Sequence, residues 1–145
     1  MSSSSPILVS VYLHKNAATI LYDLLAERTA EQSISHVAFP TWKEHCTFID
    51  SLPYRVWYLI LVGNECVGSI YLSKQQEIGV FIFRTHQQKG YGKAAVTLLM
   101  EQHPDKFLAN INPANTPSIK MFESLGFTHI QNTYKGPTGN PYERE

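Results

Sequence analysis

Glu77-Ile-Gly-Val-Phe-Ile-Phe-Arg-Thr-His-Gln-Gln-Lys-Gly-Tyr-Gly-Lys-Ala-Ala-Val-Thr-Leu-Leu-Met-Glu-Gln-His103 is the stretch on which the reading of the chain turns. It opens as a short run rich in β-branched and aromatic residues and passes through a polar loop. After Gly90-Tyr91-Gly92 it takes up helical spacing, with Tyr91, Ala95, Leu98 and Leu99 on one face. The order is therefore strand, glycine loop, helix. Amides around two glycines can point outward, and the helix that follows adds the positive end of its dipole, so this corner suits an anion such as a phosphate.

Spacing separates three kinds of phosphate corner. A Walker A loop requires G-x-x-x-x-G-K-[ST]; read back from Gly92-Lys93, Gln87 stands at the first glycine position and Ala94 at the last position. A dinucleotide fingerprint, G-x-G-x-x-G/A, is formally met by Gly90, Gly92 and Ala95. It should follow its strand at once, yet Arg84 to Lys89 intervene after Phe83, and the next strand candidate ends in asparagines rather than an acidic residue. The third pattern, Q-x-x-G-x-G, is met by Gln87, Gly90 and Gly92 directly after the strand. This resembles the acyl-CoA-binding motif of the GCN5-related N-acetyltransferase superfamily. A second segment, Asn115-x-x-Ser118 through Leu125-Gly126-Phe127, is similar to that family's later motif, and together the resemblance covers nearly all of the chain.

The flanking sequence reads as one mixed α/β domain spanning residues 1–145. At 16.4 kDa, with 43% hydrophobic residues, the chain is long enough for a single core. A strand is expected over residues 7–13 and an amphipathic helix over 16–30, where Ile20, Leu21, Leu24 and Leu25 share a face. Thr41-Trp-Lys-Glu44 has the form of a capping box, opening a second helix from Trp42 to about residue 51. Residues 56–62 and 66–72 are strand-like runs joined by Gly63-Asn64, which predicts a tight antiparallel hairpin, and the strand from Glu77 extends the meander. His103-Pro104 stops the third helix. Residues 107–111 read as a strand that the crossover makes parallel to the strand before the loop. Thr116-Pro117 supplies a cap and first-turn proline for a fourth helix ending at Gly126, and residues 127–131 read as a last strand. The expected fold is a mostly antiparallel central sheet with one parallel pair, flanked by four helices, as in the family the motifs resemble.

Composition narrows the function classes. Lys and Arg together number 12 and so do Asp and Glu, with no charge run, which argues against a sequence-independent nucleic-acid binder. The start, Met-Ser-Ser-Ser-Ser-Pro, lacks the parts of a signal peptide, and no apolar run reaches the roughly 18 residues that a membrane span needs, so a cytoplasmic protein is expected. Cys46 and Cys66 lack C-x-x-C spacing and read as buried free thiols. His36, His45, His86 and His103 form no metal-ligand spacing, so no metal is expected.

The resemblance implies acetyl-CoA as co-substrate. Carried over by position, the backbone of Phe81, Ile82 and Phe83 would pair with the pantetheine arm. The amides of Gln87, Gln88, Lys89, Gly90, Tyr91, Gly92 and Lys93 would cradle the pyrophosphate. Asn115, Ser118 and Phe122 would complete the cofactor contacts, and the amide near Ile82 would meet the carbonyl oxygen as charge develops. Glu77 matches the position of the general base in histone-acetylating members, and alternation puts it on one strand face with Gly79, Phe81 and Phe83; alone, it would read as a solvated glutamate at the end of a turn. Where many members carry a tyrosine to protonate the leaving thiolate, this chain has Phe122, and Tyr134 is the substitute that the sequence offers. The acceptor side implied by the resemblance includes His36, Phe39 and Trp42. A neutral, aromatic wall of this kind suits a small polar amine bearing a ring better than a lysine-rich tail. Glu44-His45-x-x-Phe48-Ile49, Trp57-Tyr58-Leu59-Ile60 and Glu77-Ile78-Gly79 are more loosely similar to the amino-sugar-nucleotide N-acetyltransferases of bacterial nonulosonic acid pathways. A protein N-terminus, a ribosomal protein, or a non-catalytic acyl-CoA-binding role are the alternatives, in a monomer or a homodimer.

Overall fold

The two apolar runs around Gly63-Asn64 fold back on each other because Gly63 accepts a φ of 64°, in the left-handed region where a side chain is disfavoured. Val62 then pairs with Glu65 across a two-residue turn. A computed structural model describes residues 5–31, 39–134 and 136–137 of the chain. The strands are β1 (Ile7–Ser10), β2 (Val56–Val62), β3 (Glu65–Leu72) and β4 (Ile78–Ile82), and the helices are α1 (Ala17–Glu31), α2 (Trp42–Asp50), α3 (Tyr91–Gln102) and α4 (Thr116–Ser124). The sheet runs β1-β2-β3-β4, every neighbouring pair antiparallel.

Side-chain alternation divides the sheet into two faces. On one, Ile60, Ile70, Leu72 and Ile78 pack against Ala95, Val96 and Leu99 of α3 and Phe122 of α4. On the other, Trp57 and Leu59 pack against Ala17 and Leu21 of α1 and Ile49 of α2. Each fully buried leucine or isoleucine contributes about 1.5–3 kcal/mol relative to exposure, so the two helical layers hold the sheet from both sides. The capping box forms as expected: the Glu44 amide donates to Thr41 Oγ1 at 3.1 Å and the Thr41 amide donates to Glu44 Oε1 at 2.8 Å.

Four expectations are corrected. The first strand stops at Ser10, whose hydroxyl accepts from the Tyr12 amide at 3.2 Å and turns Val11–Leu13 into a 3₁₀ turn. Residues 107–111 form no full strand; the parallel direction survives as one bridge, Glu77 with Leu108, closed by Ile78 N to Leu108 O at 2.8 Å and Leu108 N to Gln76 O at 2.9 Å. Asn110 and Asn112 explain the shortfall, because their side chains bond Glu77 and the Ala114 amide and bend the segment away from the ladder. Residues 127–131 are also not a strand: with Ile130 exposed and His129 Nε2 against the Gln131 carbonyl at 2.6 Å, the segment bonds within itself. The cap of α4 is Asn115, whose Oδ1 accepts from the Ser118 amide at 3.3 Å, and Thr116 is already the first helical residue.

Candidate active site

The corner after β4 is shaped by two residues with positive φ, Gln88 at 62° and Gly90 at 83°. Gly90 caps α3 in the left-handed conformation, and a Cβ there would meet nothing within 4 Å, so glycine serves the backbone turn and leaves the space in front of it open. Gly92 is the second residue of α3 and faces β4, where an added Cβ would make ordinary contacts with Ile82 and Val80. Among the described residues, no amide from 88 to 93 donates to a backbone carbonyl, and the first turn of α3 carries no acidic side chain. These amides, with exposed Lys89 and Lys93 beside them, make an anion-binding corner. The turn leading into it is pinned on both sides: the Arg84 amide donates to Glu27 Oε1 of α1 at 2.8 Å, and His86 Nε2 lies 3.0 Å from Glu65 Oε2.

β4 is an edge strand beyond its single bridge to Leu108. Ile78 donates to Leu108, so backbone alternation turns the amides of Val80 and Ile82 toward that same edge. Phe81 pairs with Ser69 of β3, and the Phe83 amide donates to Val67 O at 2.9 Å. Of the three residues expected to offer backbone to a ligand, only Ile82 therefore does so, and Val80 joins it. Strand alternation alone could have found this, once the bridge told which edge was open. The Gln87 side chain reaches back to this edge and donates to Ile82 O at 3.1 Å.

Glu77 stands where the edge opens. Its Oε2 accepts from Asn110 Nδ2 at 2.7 Å, its Oε1 lies 3.5 Å from the buried Ser73 hydroxyl, and its amide donates to that hydroxyl at 3.0 Å. A carboxylate held by two side chains in this way has a fixed orientation and a free lone-pair direction.

The face of β4 carrying Gly79 and Phe81 borders a cavity of about 70 Å³ between the sheet, α1 and α2. Gly79 makes room for the Tyr71 ring that lines it, since a Cβ there would fall 2.2 Å from that ring. Tyr71 stacks flat on Tyr54, centroids 3.8 Å apart, and Trp57 meets Tyr54 edge-on at 4.8 Å. The Arg28 guanidinium lies 3.6 Å above the Phe81 ring centroid. Burial lowers the pKa of Arg28, partly offset by the two tyrosines, and burial raises those of Tyr54 and Tyr71, so both phenols are neutral at ordinary pH. His45 is buried at the wall, with Nε2 2.8 Å from Ala18 O, tying α2 to α1.

The remaining expected residues divide. Phe39 and Trp42 gather around Tyr22, centroids 5.0 and 5.2 Å away, outside the cavity lining, and His36 lies outside the described residues. Phe122 is 4% exposed and packs edge-on against Phe127 at 5.0 Å, so its ring belongs to the core and not to a ligand surface. Asn115 and Ser118 are engaged in the cap of α4, and Tyr134 is 86% exposed. Arg28 and Tyr71 were not anticipated. The signal for Arg28 was present in α1, where Leu21, Leu24, Leu25 and Arg28 follow the i, i+3, i+4, i+7 spacing and place an arginine on the apolar face. Among the described residues no group of three His, Cys, Asp or Glu side chains is placed to hold a metal ion, and no helix is long and apolar enough to cross a membrane.

Residues 18–127 match the profile of the Acetyltransferase (GNAT) family. Among solved structures, a domain from Methanocaldococcus jannaschii is 28% identical, with 92% of this chain and 93% of that one covered and a TM-score of 0.73. An acetyltransferase from Thermus thermophilus is 18% identical over 91% of this chain and 92% of that chain, TM-score 0.69. The microcin C7 self-immunity acetyltransferase MccE, solved with acetyl-CoA and AMP, is 17% identical over 86% of this chain and 79% of that chain, TM-score 0.66. The latter two establish a shared fold. A search of curated proteins finds no match.

Proposed function

The chain belongs to the GNAT family and is an acetyl-CoA-dependent N-acetyltransferase; we propose that, as a single domain over residues 1–145, it acetylates the primary amine of a small acceptor by direct attack in a ternary complex. The observation that carries the reading is the junction at Phe81–Ile82. There the open backbone edge of β4 leads to the amide-rich turn before α3, and the opposite face borders the aromatic cavity. In this reading the amides of residues 88–93 take the pyrophosphate, Val80 and Ile82 align the pantetheine arm, and the acceptor enters from the α1–α2 side. Acetyl-CoA supplies the thioester whose acyl group is transferred.

An alkyl amine has a pKa near about 10 and is almost wholly protonated at neutral pH, so its proton must be removed before attack. Glu77, held by Asn110 and Ser73 where the edge opens, takes that proton through water. The Ile82 amide, free of the sheet, donates to the carbonyl oxygen as negative charge builds on it. A thiol has a pKa near about 8.5, so the thiolate is a competent leaving group without a side-chain acid. Phe122 can supply no proton, and Tyr134, the substitute that the sequence offers, is 86% exposed. An amino-sugar nucleotide, the acceptor that the looser sequence resemblance implies, would fit only with its amine end in a space of about 70 Å³ and its nucleotide outside.

Thermal unfolding with acetyl-CoA, against NAD and ATP, tests the reading. Ligand at a hundred times its dissociation constant adds about 2.7 kcal/mol, a rise of roughly 5–11 °C at this size. Absence of any shift with acetyl-CoA would sink the proposal, and a shift with NAD would reinstate the dinucleotide fingerprint. Glu77→Gln should keep the acetyl-CoA shift and lower kcat on the order of 100-fold or more.

A further inference from the structure

We infer that Arg28 receives a carboxylate carried by the acceptor, so that the amine acetylated is that of a compact amino acid; this rests on the acetyl-transfer reading above. Arg28 lines the cavity from α1 with its guanidinium laid over Phe81, and no carboxylate shares the lining with it among the described residues. Two ion pairs of the described residues, Arg55 with Asp105 and His86 with Glu65, lie elsewhere. A half-buried guanidinium stacked on a ring still has donors in its plane to satisfy, and a planar carboxylate matches that fork.

A second, independent group points the same way. Trp57 is 8% exposed and lines the same cavity, and its indole N–H, enclosed by neighbouring atoms, has no hydrogen-bond partner among the described residues. Buried donors are rarely left unpaired. Ser69, also buried, adds a hydroxyl to the lining. The cavity lining thus offers a cation and neutral polar groups on aromatic walls and, among the described residues, no carboxylate; the Glu77 charge reaches it only from beside Tyr71. A polyamine or a lysine ammonium would meet the Arg28 charge at close range and be repelled. An anion would be drawn in.

Position relates this anion to the reaction. Arg28 covers Phe81, and the next residue, Ile82, presents its amide at the open edge where the acetyl carbonyl is proposed to sit. Successive strand residues rise only about 3.3 Å, so the ring that Arg28 covers and the Ile82 amide belong to adjacent positions of β4, an arrangement that suits a carboxylate close to its amine, as in an α- or β-amino acid, better than one at the end of a long chain. In the transfer the amine nitrogen bonds to the acetyl carbon and the carbon–sulfur bond breaks. One proton of the ammonium passes through Glu77 to solvent before attack, and the adduct nitrogen loses a second as the carbon–sulfur electron pair departs with sulfur. That second proton, or one from water, converts the thiolate to coenzyme A. The carboxylate is unchanged and remains on Arg28.

The test follows thiol release from acetyl-CoA with the standard L-α-amino acids, β-alanine, their decarboxylated amines and methyl esters, a polyamine and an amino-sugar nucleotide. Carboxylated amines should be preferred, and Arg28→Gln should raise KM for the best of them roughly 10- to 100-fold, the loss expected for a hydrogen bond to a charged group. KM for its methyl ester should stay unchanged. Arg28→Lys should recover part of the loss, and an acetyl-CoA thermal shift in each variant shows that it is folded. Three results overturn the inference: turnover of esters, polyamines or amino-sugar nucleotides in preference to carboxylates; indifference of the carboxylate KM to Arg28→Gln; or acetyl-CoA binding with no turnover of any carboxylated amine. Failure of acetyl-CoA to bind at all strikes the underlying reading instead.

Discussion

Gly68→Ala tests the contact that sets the site's framework. Gly68 pairs with Ile82 at the last residue of β4, just after a register shift that leaves Val67 as the extra residue of β3. A Cβ at Gly68 would fall 2.1 Å from the Phe81 carbonyl oxygen and 2.9 Å from Ile82 Cα, both backbone atoms that no rotamer change can move. Ordinary contact begins at 3.4 Å, so the Phe81 carbonyl would have to retreat by roughly 1.3 Å. That displacement breaks the β3–β4 pairing beside Ile82 and tilts the Phe81 ring away from Arg28. Overpacking of this kind costs about 1–3 kcal/mol, and a backbone clash belongs at the upper end. With about 3 kcal/mol lost, the melting temperature of a domain this size falls by roughly 6–12 °C. Urea unfolding, with the midpoint read at constant slope, gives the number directly. A loss below about 1 kcal/mol with unaltered acetyl-CoA affinity would refute the close approach of β3 on β4.

Gly90→Ala meets no clash and carries only the left-handed backbone penalty of about 1–2 kcal/mol, yet it should weaken acetyl-CoA binding more than it lowers stability. Equal acetyl-CoA dissociation constants by calorimetry would show that the turn at φ 83° is not needed. Thr41→Ala removes one half of the capping box and should cost about 1 kcal/mol in urea unfolding, with kcat unchanged where the protein remains folded. Burial raises the pKa values of Tyr54, Tyr71, Tyr58 and Tyr12, so the folded state holds their protons at pH values where the unfolded chain, titrating near about 10, has released them. Stability is therefore fully present below about pH 10 and declines as pH rises above it; tyrosinate absorbance should show a late-titrating subset that collapses onto the ordinary curve in denaturant. A single tyrosine transition in the folded protein would contradict the buried phenol stack.

Local signals carried most of the fold. The Thr41–Glu44 capping box, the Gly63-Asn64 hairpin, and the strand–loop–helix from Glu77 are decided by groups within a few residues of one another, and each formed as the sequence implied. The family assignment was legible for the same reason, because Gln87, Gly90 and Gly92 are near neighbours whose spacing is itself the signal. Where local and distant partners compete, pattern reading failed. The run 107–111 has strand composition, but Asn110 spends its side chain on Glu77, 33 positions earlier, and one bridge is all that remains. Phe122 occupies a position that family resemblance marks for chemistry, while the edge-on Phe127 ring and the sheet core bury it.

The amino-acid order thus determined which segments turn, cap and alternate, because those are short-range steric and hydrogen-bonding matters. Tertiary structure alone decided which edge of β4 is left open, and so that Val80 and Ile82 rather than Phe81 and Phe83 present their backbone. It also brought Arg28 of α1 onto Phe81 of β4 and set Trp57 and Tyr71 around them. Residues from two helices and three strands line that space, and no spacing along the chain encodes it. The cavity's charge and shape follow from how two helices lie across a sheet, a matter of packing and desolvation settled between residues far apart in sequence.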